Sequence, residues 1–336
     1  RTRRPSFFRI ALLIAVIGLL LYINQVVVPA TPPLFIPTPT PTRSPEAFLT
    51  EADELYRTGK MNLAIEAYKS AIEVDPTNVA TFVTLARLQV FAGDYDSAIE
   101  NTQNALLINP NNPLAHAVQG WALSFQGEDL QAEAAAKKAL ELDPNNALAH
   151  AYYAEILLNK EDFGDLDKAI EHSKTARELD PSLLETHRAR GLVLLNTQNI
   201  DEAIDELKAA IAINDKIANL HLNLGYAYRV RGDNDLAVEE LLTAFALNPS
   251  SPEAPTEISL AYANEGQFGK AAQYAEQSVK VDPANAIAWN NLAGLPLAAL
   301  TVSALAGLAV AAAVRAAGWP WWLADLAAVT MTALAA

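Results

Sequence analysis

Apolar positions along most of this chain recur with a helical period, and the pattern itself repeats. In the stretch 218–251, ANLHLNLGYAYRVRGDNDLAVEELLTAFALNPSS, Leu224, Gly225 and Tyr228 share one helical face. Ala237, Leu241 and Ala244 do the same in a second segment, which Pro249 closes. This predicts a pair of amphipathic helices. Neither can bury its apolar stripe alone, so each pair needs neighbours, and a window stepped by about 34 residues finds the pair again and again. Two stretches break the pattern: an uninterrupted apolar run over 10–28, and an alanine-rich tail over 295–336.

The repeat marks keep phase. Asp-Pro or Asn-Pro places proline at Pro76, Pro110, Pro144, Pro181, Pro249 and Pro283, spaced 34, 34, 37, 68 and 34, with Asp215 in register at the missing step. Proline disfavours helix at the residue before it, so each mark predicts a helix end. Asn78, Asn112, Ser251 and Asn285 follow closely and suit the next N-cap. An alanine lies twelve residues before each mark (Ala64, Ala98, Ala132, Ala169, Ala203, Ala237, Ala271). Five residues before that alanine comes Gly59, Gly93, Gly127, Gly164, Gln198, Gly232 or Gly266. Glycine there permits a tight turn, and the small alanine lets paired helices approach closely.

These residues resemble the tetratricopeptide repeat family, whose 34-residue unit carries Leu-Gly and Tyr in helix A, then Ala, an aromatic, Ala and a closing Pro in helix B. Leu224-Gly225, Tyr228, Ala237, Ala244 and Pro249 match it, as do Ala64, Tyr68, Ala71 and Pro76, and Trp289, Leu292 and Ala293 begin an eighth unit. The resemblance implies an all-α fold, a right-handed α-solenoid of seven repeats and a half repeat over 45–294. Three extra residues between His150 and Gly164, and Asp215 in place of the closing proline, depart from the pattern and are expected to alter local turns without breaking the stack.

The flanks read differently. Arg1, Arg3, Arg4 and Arg9 precede IALLIAVIGLLLYINQVVV, Ile10–Val28. Nineteen helical residues reach roughly 28 Å, close to a bilayer's hydrocarbon thickness. A retained signal anchor over 1–28 is favoured over a cleaved signal peptide, with the arginine flank cytoplasmic and the array outside. Residues 29–45 carry seven prolines in seventeen and predict an extended spacer of roughly 50 Å. In the tail, Leu295–Val314 has no charge, then come Arg315 and the aromatics Trp319, Trp321 and Trp322. A second membrane helix, a capping helix for the last repeat, and a segment from another reading frame or polypeptide are all compatible with it.

Charge narrows the partners. The net charge is −15, but Ser44–Gly294 alone holds 18 Lys and Arg against 38 Asp and Glu, a net of −20. Such a body repels phosphate backbones, so no nucleic acid is expected. The absence of cysteine excludes disulfides and thiolate sites. His116, His150, His187 and His221 share one repeat position, the fourth residue of helix A. Equivalent positions lie about 10 Å apart, too far for one metal, so these histidines are expected to pack between helices. No glycine-rich phosphate cradle, HExxH or nucleophile elbow appears. No catalytic residue, metal or cofactor is predicted, and an enzyme is not expected.

Binding remains. The family resemblance implies a concave groove lined by helix-A positions 2, 5, 6, 9, 12 and 13, and carried over these give Arg87, Trp121, Tyr152, Arg188, Asn223, Tyr226 and Arg229. Aromatic and arginine side chains dominate protein-binding hot spots. Neither the family's carboxylate clamp nor its asparagine ladder is matched. The expectation is a membrane-anchored scaffold that assembles other proteins, such as a membrane complex, on the non-cytoplasmic face. The alternatives are an envelope carrier or sensor for a peptide or glycan, and an accessory module of an enzyme on another chain.

Overall fold

A computed structural model of the chain describes residues 7–23, 25, 43–160 and 165–295. The chain divides into two units, Arg1–Arg43 and Ser44–Ala336. In the first, α1 spans Phe7–Tyr22, sixteen residues with Leu12, Ile14 and Leu19 exposed. At 1.5 Å per residue it is about 24 Å long. Among the described residues no helix is long and apolar enough to cross a membrane. Residues 24 and 26–28 of the span expected over 10–28 lie outside the described residues. The spacer at 29–42 and the tail at 296–336 lie outside the described residues.

The second unit is a stack of helix pairs: α2 (Pro45–Arg57) with α3 (Met61–Val74), α4 (Val79–Ala92) with α5 (Tyr95–Ile108), and α6 (Pro113–Phe125) with α7 (Asp129–Leu142). Then come α8 (Ala147–Asn159) with α9 (Leu166–Leu179), α10 (Leu184–Asn196) with α11 (Ile200–Ile213), and α12 (Ala218–Arg231) with α13 (Asn234–Leu247). The pair α14 (Glu253–Asn264) and α15 (Phe268–Val281) follows, and α16 (Ala286–Gly294) opens an eighth unit.

Each boundary has a local cause. Asp75, Asn109, Asp143, Asp180, Asn214 and Asp282 leave helix geometry, and each side chain accepts the backbone N–H two residues on. Asn214 does this without a following proline, which is why Asp215 costs the array no boundary. Asn78, Asn112, Asn146 and Asn285 then cap the next helix by accepting the N–H three residues on. Inside the pairs, Gly59, Gly93, Gly127, Gly232 and Gly266 turn with positive φ, and Gln198 takes the same conformation at φ 63°. Gly164 falls at 161–164, outside the described residues.

The seven register alanines are fully buried. They face a small-residue slot on helix A, where a Cβ added to Gly225 would lie 2.6 Å from Leu241 Cγ, and one added to Gly120 would lie 2.7 Å from the Ala132 carbonyl oxygen. Ser259 fills the same slot by donating its hydroxyl to the Ala271 carbonyl at 2.8 Å. These contacts set how closely A and B helices approach.

The stack curls until its start meets its middle. Tyr56 and Phe91 pack against Leu184, Ala210, Ile217 and Leu220. Arg87 donates to Glu185 at 2.6 Å across 98 positions of sequence. A Cβ on Gly59 would lie 2.9 Å from Lys216 Cβ. Repeats 1 and 2 therefore touch repeats 5 and 6, and the inner face between them is enclosed.

Candidate functional site

The A helices α4, α6, α8, α10 and α12 turn their inner faces toward one another, which brings four predicted residues together. Trp121 stacks on Tyr152 with ring centroids 4.4 Å apart and planes 8° apart. The Trp121 indole donates to Glu155 at 2.7 Å. The Arg188 guanidinium donates through Nε to the other Glu155 oxygen at 3.0 Å and through Nη2 to the first. Its Nη1 reaches Asn219 at 3.1 Å, and its plane lies over Trp121 and Phe91 at 4.7 and 5.1 Å. Trp121 and Tyr152 are 0 % exposed and Arg188 is 2 % exposed.

Electrostatics follow from that burial. Burial pushes the Tyr152 hydroxyl well above its ordinary range; Glu185 and Glu155 add to the rise, and Arg87 and Arg188 oppose it. Burial works against the Arg87 charge, but Tyr152 and Glu185 more than offset this and raise its pKa. Burial and then Glu185 raise Tyr56, against Arg87 and Asn214. Arg87, Trp121, Tyr152 and Arg188 thus line the inner face; the Trp121 indole, the Arg188 guanidinium and the Arg87 Nη2 are bonded to neighbours, whereas the buried Tyr152 hydroxyl and Arg87 Nε have no hydrogen-bond partner among the described residues. The sequence reading omitted the residues that hold them: Glu155, Glu185 and Asn219. The signal was present, since all three occupy groove positions 9 or 2, where an inward-facing carboxylate or amide needs a partner.

Asn223, Tyr226 and Arg229 are placed differently. They lie along α12 beyond the enclosed part, with Tyr226 41 % exposed. The Arg229 guanidinium covers the Tyr226 ring at 5.1 Å and donates to Glu257 of α14 at 2.6 Å. Asn223 donates to Asn219 at 3.1 Å, which links this row to the buried network.

The histidines perform one structural task. His116, His150, His187 and His221 each place Nε2 2.9 to 3.0 Å from the carbonyl six residues earlier, at Pro110, Pro144, Pro181 and Asp215. The Trp289 indole donates to Pro283 at 2.9 Å in the same slot. A ring N–H at this position ties helix A to the preceding boundary. The Nδ1 of His187 and of His221 lies 2.6 Å from a carboxylate oxygen of Glu206 and of Glu240 respectively. Burial lowers the His221 pKa, but the Glu240 and Asp215 bonds and charges more than offset it and the net shift is upward. His172, 2.9 Å from His150, is pushed down to about 4 by burial and the facing ring. No group of three or more metal-ligating side chains converges among the described residues.

Comparison with known proteins bears on the whole array. Tetratricopeptide repeat models match residues 55–122, 115–146, 135–171, 187–254 and 256–285, together more than half of the chain. A crystal structure of the APC/C hetero-tetramer Cut9-Hcn1 is similar at 19 % identity and TM-score 0.57 over 74 % of this chain; the chain spans 49 % of that protein. TTC0263, a thermophilic TPR protein of Thermus thermophilus, is 23 % identical with TM-score 0.47, covering 55 % of this chain and all (100 %) of its own. MamA is 28 % identical with TM-score 0.40, over 49 % of this chain and 94 % of its own. Comparison with curated protein sequences gives no match.

Proposed function

The chain belongs to the tetratricopeptide repeat family, and from that premise we propose that it is a non-enzymatic, membrane-tethered scaffold that holds other proteins on the open part of its inner face. One observation carries the reading. The curl encloses the inner face of repeats 2 to 5, whereas the row Asn223, Tyr226 and Arg229 keeps an exposed aromatic, an arginine and an amide together. Exposed aromatics and arginines are the side chains that give protein interfaces most of their energy. The ion pair to Glu257 fixes the arginine over the ring, so little side-chain entropy is lost on binding.

Tethering is supported by α1, whose apolar side chains are exposed and suit a membrane environment. The arginine-rich flank favours a cytoplasmic N-terminus, which would put the array on the opposite face, where a membrane complex is the expected partner. Co-purification of the full chain from membranes in mild detergent tests both parts. A stoichiometric partner should be recovered, and Tyr226→Ala with Arg229→Glu should abolish recovery while circular dichroism stays unchanged. Unchanged recovery would refute the assigned face. Extraction of the chain from membranes by alkaline carbonate would refute the tether.

A further inference from the structure

A second surface lies at the mouth of the enclosed interior, at the end where α4, α5 and α6 face α12, α13 and α14. It opens on a cavity of about 450 Å³. On one wall Tyr95 and Phe125 stack with centroids 4.8 Å apart and planes 6° apart, and Phe125 is 41 % exposed. On the other stand Asn248 and Glu253, with Leu222 behind. Phe91 and Trp121 form the floor, and Phe125 meets the edge of Trp121 at 6.1 Å.

We propose that this mouth takes a lysine or arginine side chain from an extended basic segment of a partner protein, with the adjoining apolar side chain entering the cavity. Charge and geometry agree on that occupant. Glu253 lines the cavity and its charge acts on Tyr95, Asp96 adjoins Tyr95 in the chain, and both carboxylate residues are exposed. Among the described residues lining the cavity, Arg188 is the one Lys or Arg, and it is buried and neutralised by Glu155. The Gln126 amide donates to Asp96 at 2.6 Å, which orders the rim without cancelling its charge. An exposed aromatic face flanked by carboxylates attracts a cation both through the ring quadrupole and by direct charge. The whole array adds to that attraction, with 18 Lys and Arg against 38 Asp and Glu over 44–294. A second copy of the chain carries the same charge and is repelled.

This site does not rest on the Tyr226 row. The test uses the full chain in mild non-ionic detergent and a fluorescein-labelled peptide, acetyl-Gly-Lys-Val-Lys-Val-Gly-amide, read by fluorescence anisotropy. Saturable binding is expected, weakening with added salt, and the peptide with Glu in place of both Lys residues should not bind. Glu253→Lys and Phe125→Ser, both at exposed positions, should each weaken binding by about tenfold or more, with Glu253→Gln intermediate and Tyr226→Ala unchanged. Absence of saturable binding, or equal binding by wild type, Glu253→Lys and Phe125→Ser, would overturn the proposal. So would loss of binding in Tyr226→Ala, which would move the peptide to the α12 row. A concentration-dependent sedimentation coefficient that Glu253→Lys removes would also overturn it, making a second copy the occupant.

Discussion

Replacing Glu155 with glutamine tests whether the enclosed interior is held by its ion pair. The Arg188 and Glu155 side chains are 3 % and 2 % exposed, so neither charge is screened by water. A glutamine in that place is isosteric and can still accept one hydrogen, but it leaves the Arg188 guanidinium buried without a counter-ion. Removing one partner of a buried pair costs about 3–5 kcal/mol. Here the rings of Trp121 and Phe91 and the amide of Asn219 continue to stabilise the cation, each face contact contributing about 0.5–2 kcal/mol. The expected loss is therefore near the low end, about 3 kcal/mol. Replacing both residues with methionine removes the uncompensated charge and should cost far less than the two single changes together, a coupling of about 2 kcal/mol or more. Native-state amide exchange of the full chain, followed in peptides from α8 and α10, reads the local opening free energy. A loss below about 1 kcal/mol in Glu155→Gln, or additive single and double variants, would refute the reasoning. The same geometry sets a limit on groove mutagenesis: Arg188→Glu would place two carboxylates together in the interior, so it reports on folding rather than on partner binding.

Three further outcomes follow from particular positions. Gly225→Ala should destabilise by about 1–3 kcal/mol by overpacking, because its Cβ would meet Leu241 Cγ at 2.6 Å; urea unfolding checks it, and Leu241→Val in the same chain should recover part of the loss. Gln198→Gly should stabilise by about 1 kcal/mol, since the residue sits at φ 63°; an unchanged or lower unfolding midpoint would count against strain there. The two kinds of histidine should give opposite pH dependence. His221 has a raised pKa, so its contribution is complete below about 6.5 and is lost as pH rises through its higher folded value. His172 is pushed down to about 4, so folding is fully favoured above its unfolded value and loses stability as pH falls from there towards 4. Unfolding midpoints across pH 4–9, repeated with His221→Phe and His172→Phe, should lose the alkaline and the acidic component respectively.

Much of the array was legible because its determinants are local. The Asx turn at Asp75 or Asn214, the caps at Asn78 and Asn112, and the glycine turns each involve residues two to five apart, so spacing alone exposes them. The shared histidine position was legible too, but its task was not. A hydrogen bond to the carbonyl six residues earlier requires the boundary turn to be built first.

The sequence by itself determined the repeat, its helix ends and which face of each A helix points inward, because those follow from period and short-range hydrogen bonding. Only the tertiary structure decided which inward residues a partner could reach. Arg87 and Glu185 are 98 positions apart, and nothing in the local pattern announces that they meet. The small angle each repeat adds to the next accumulates along the stack. The sum closes the stack on itself and buries Trp121, Tyr152 and Arg188. The same accumulated curl leaves Tyr226 exposed, although it occupies the repeat position that Trp121 holds in the enclosed part.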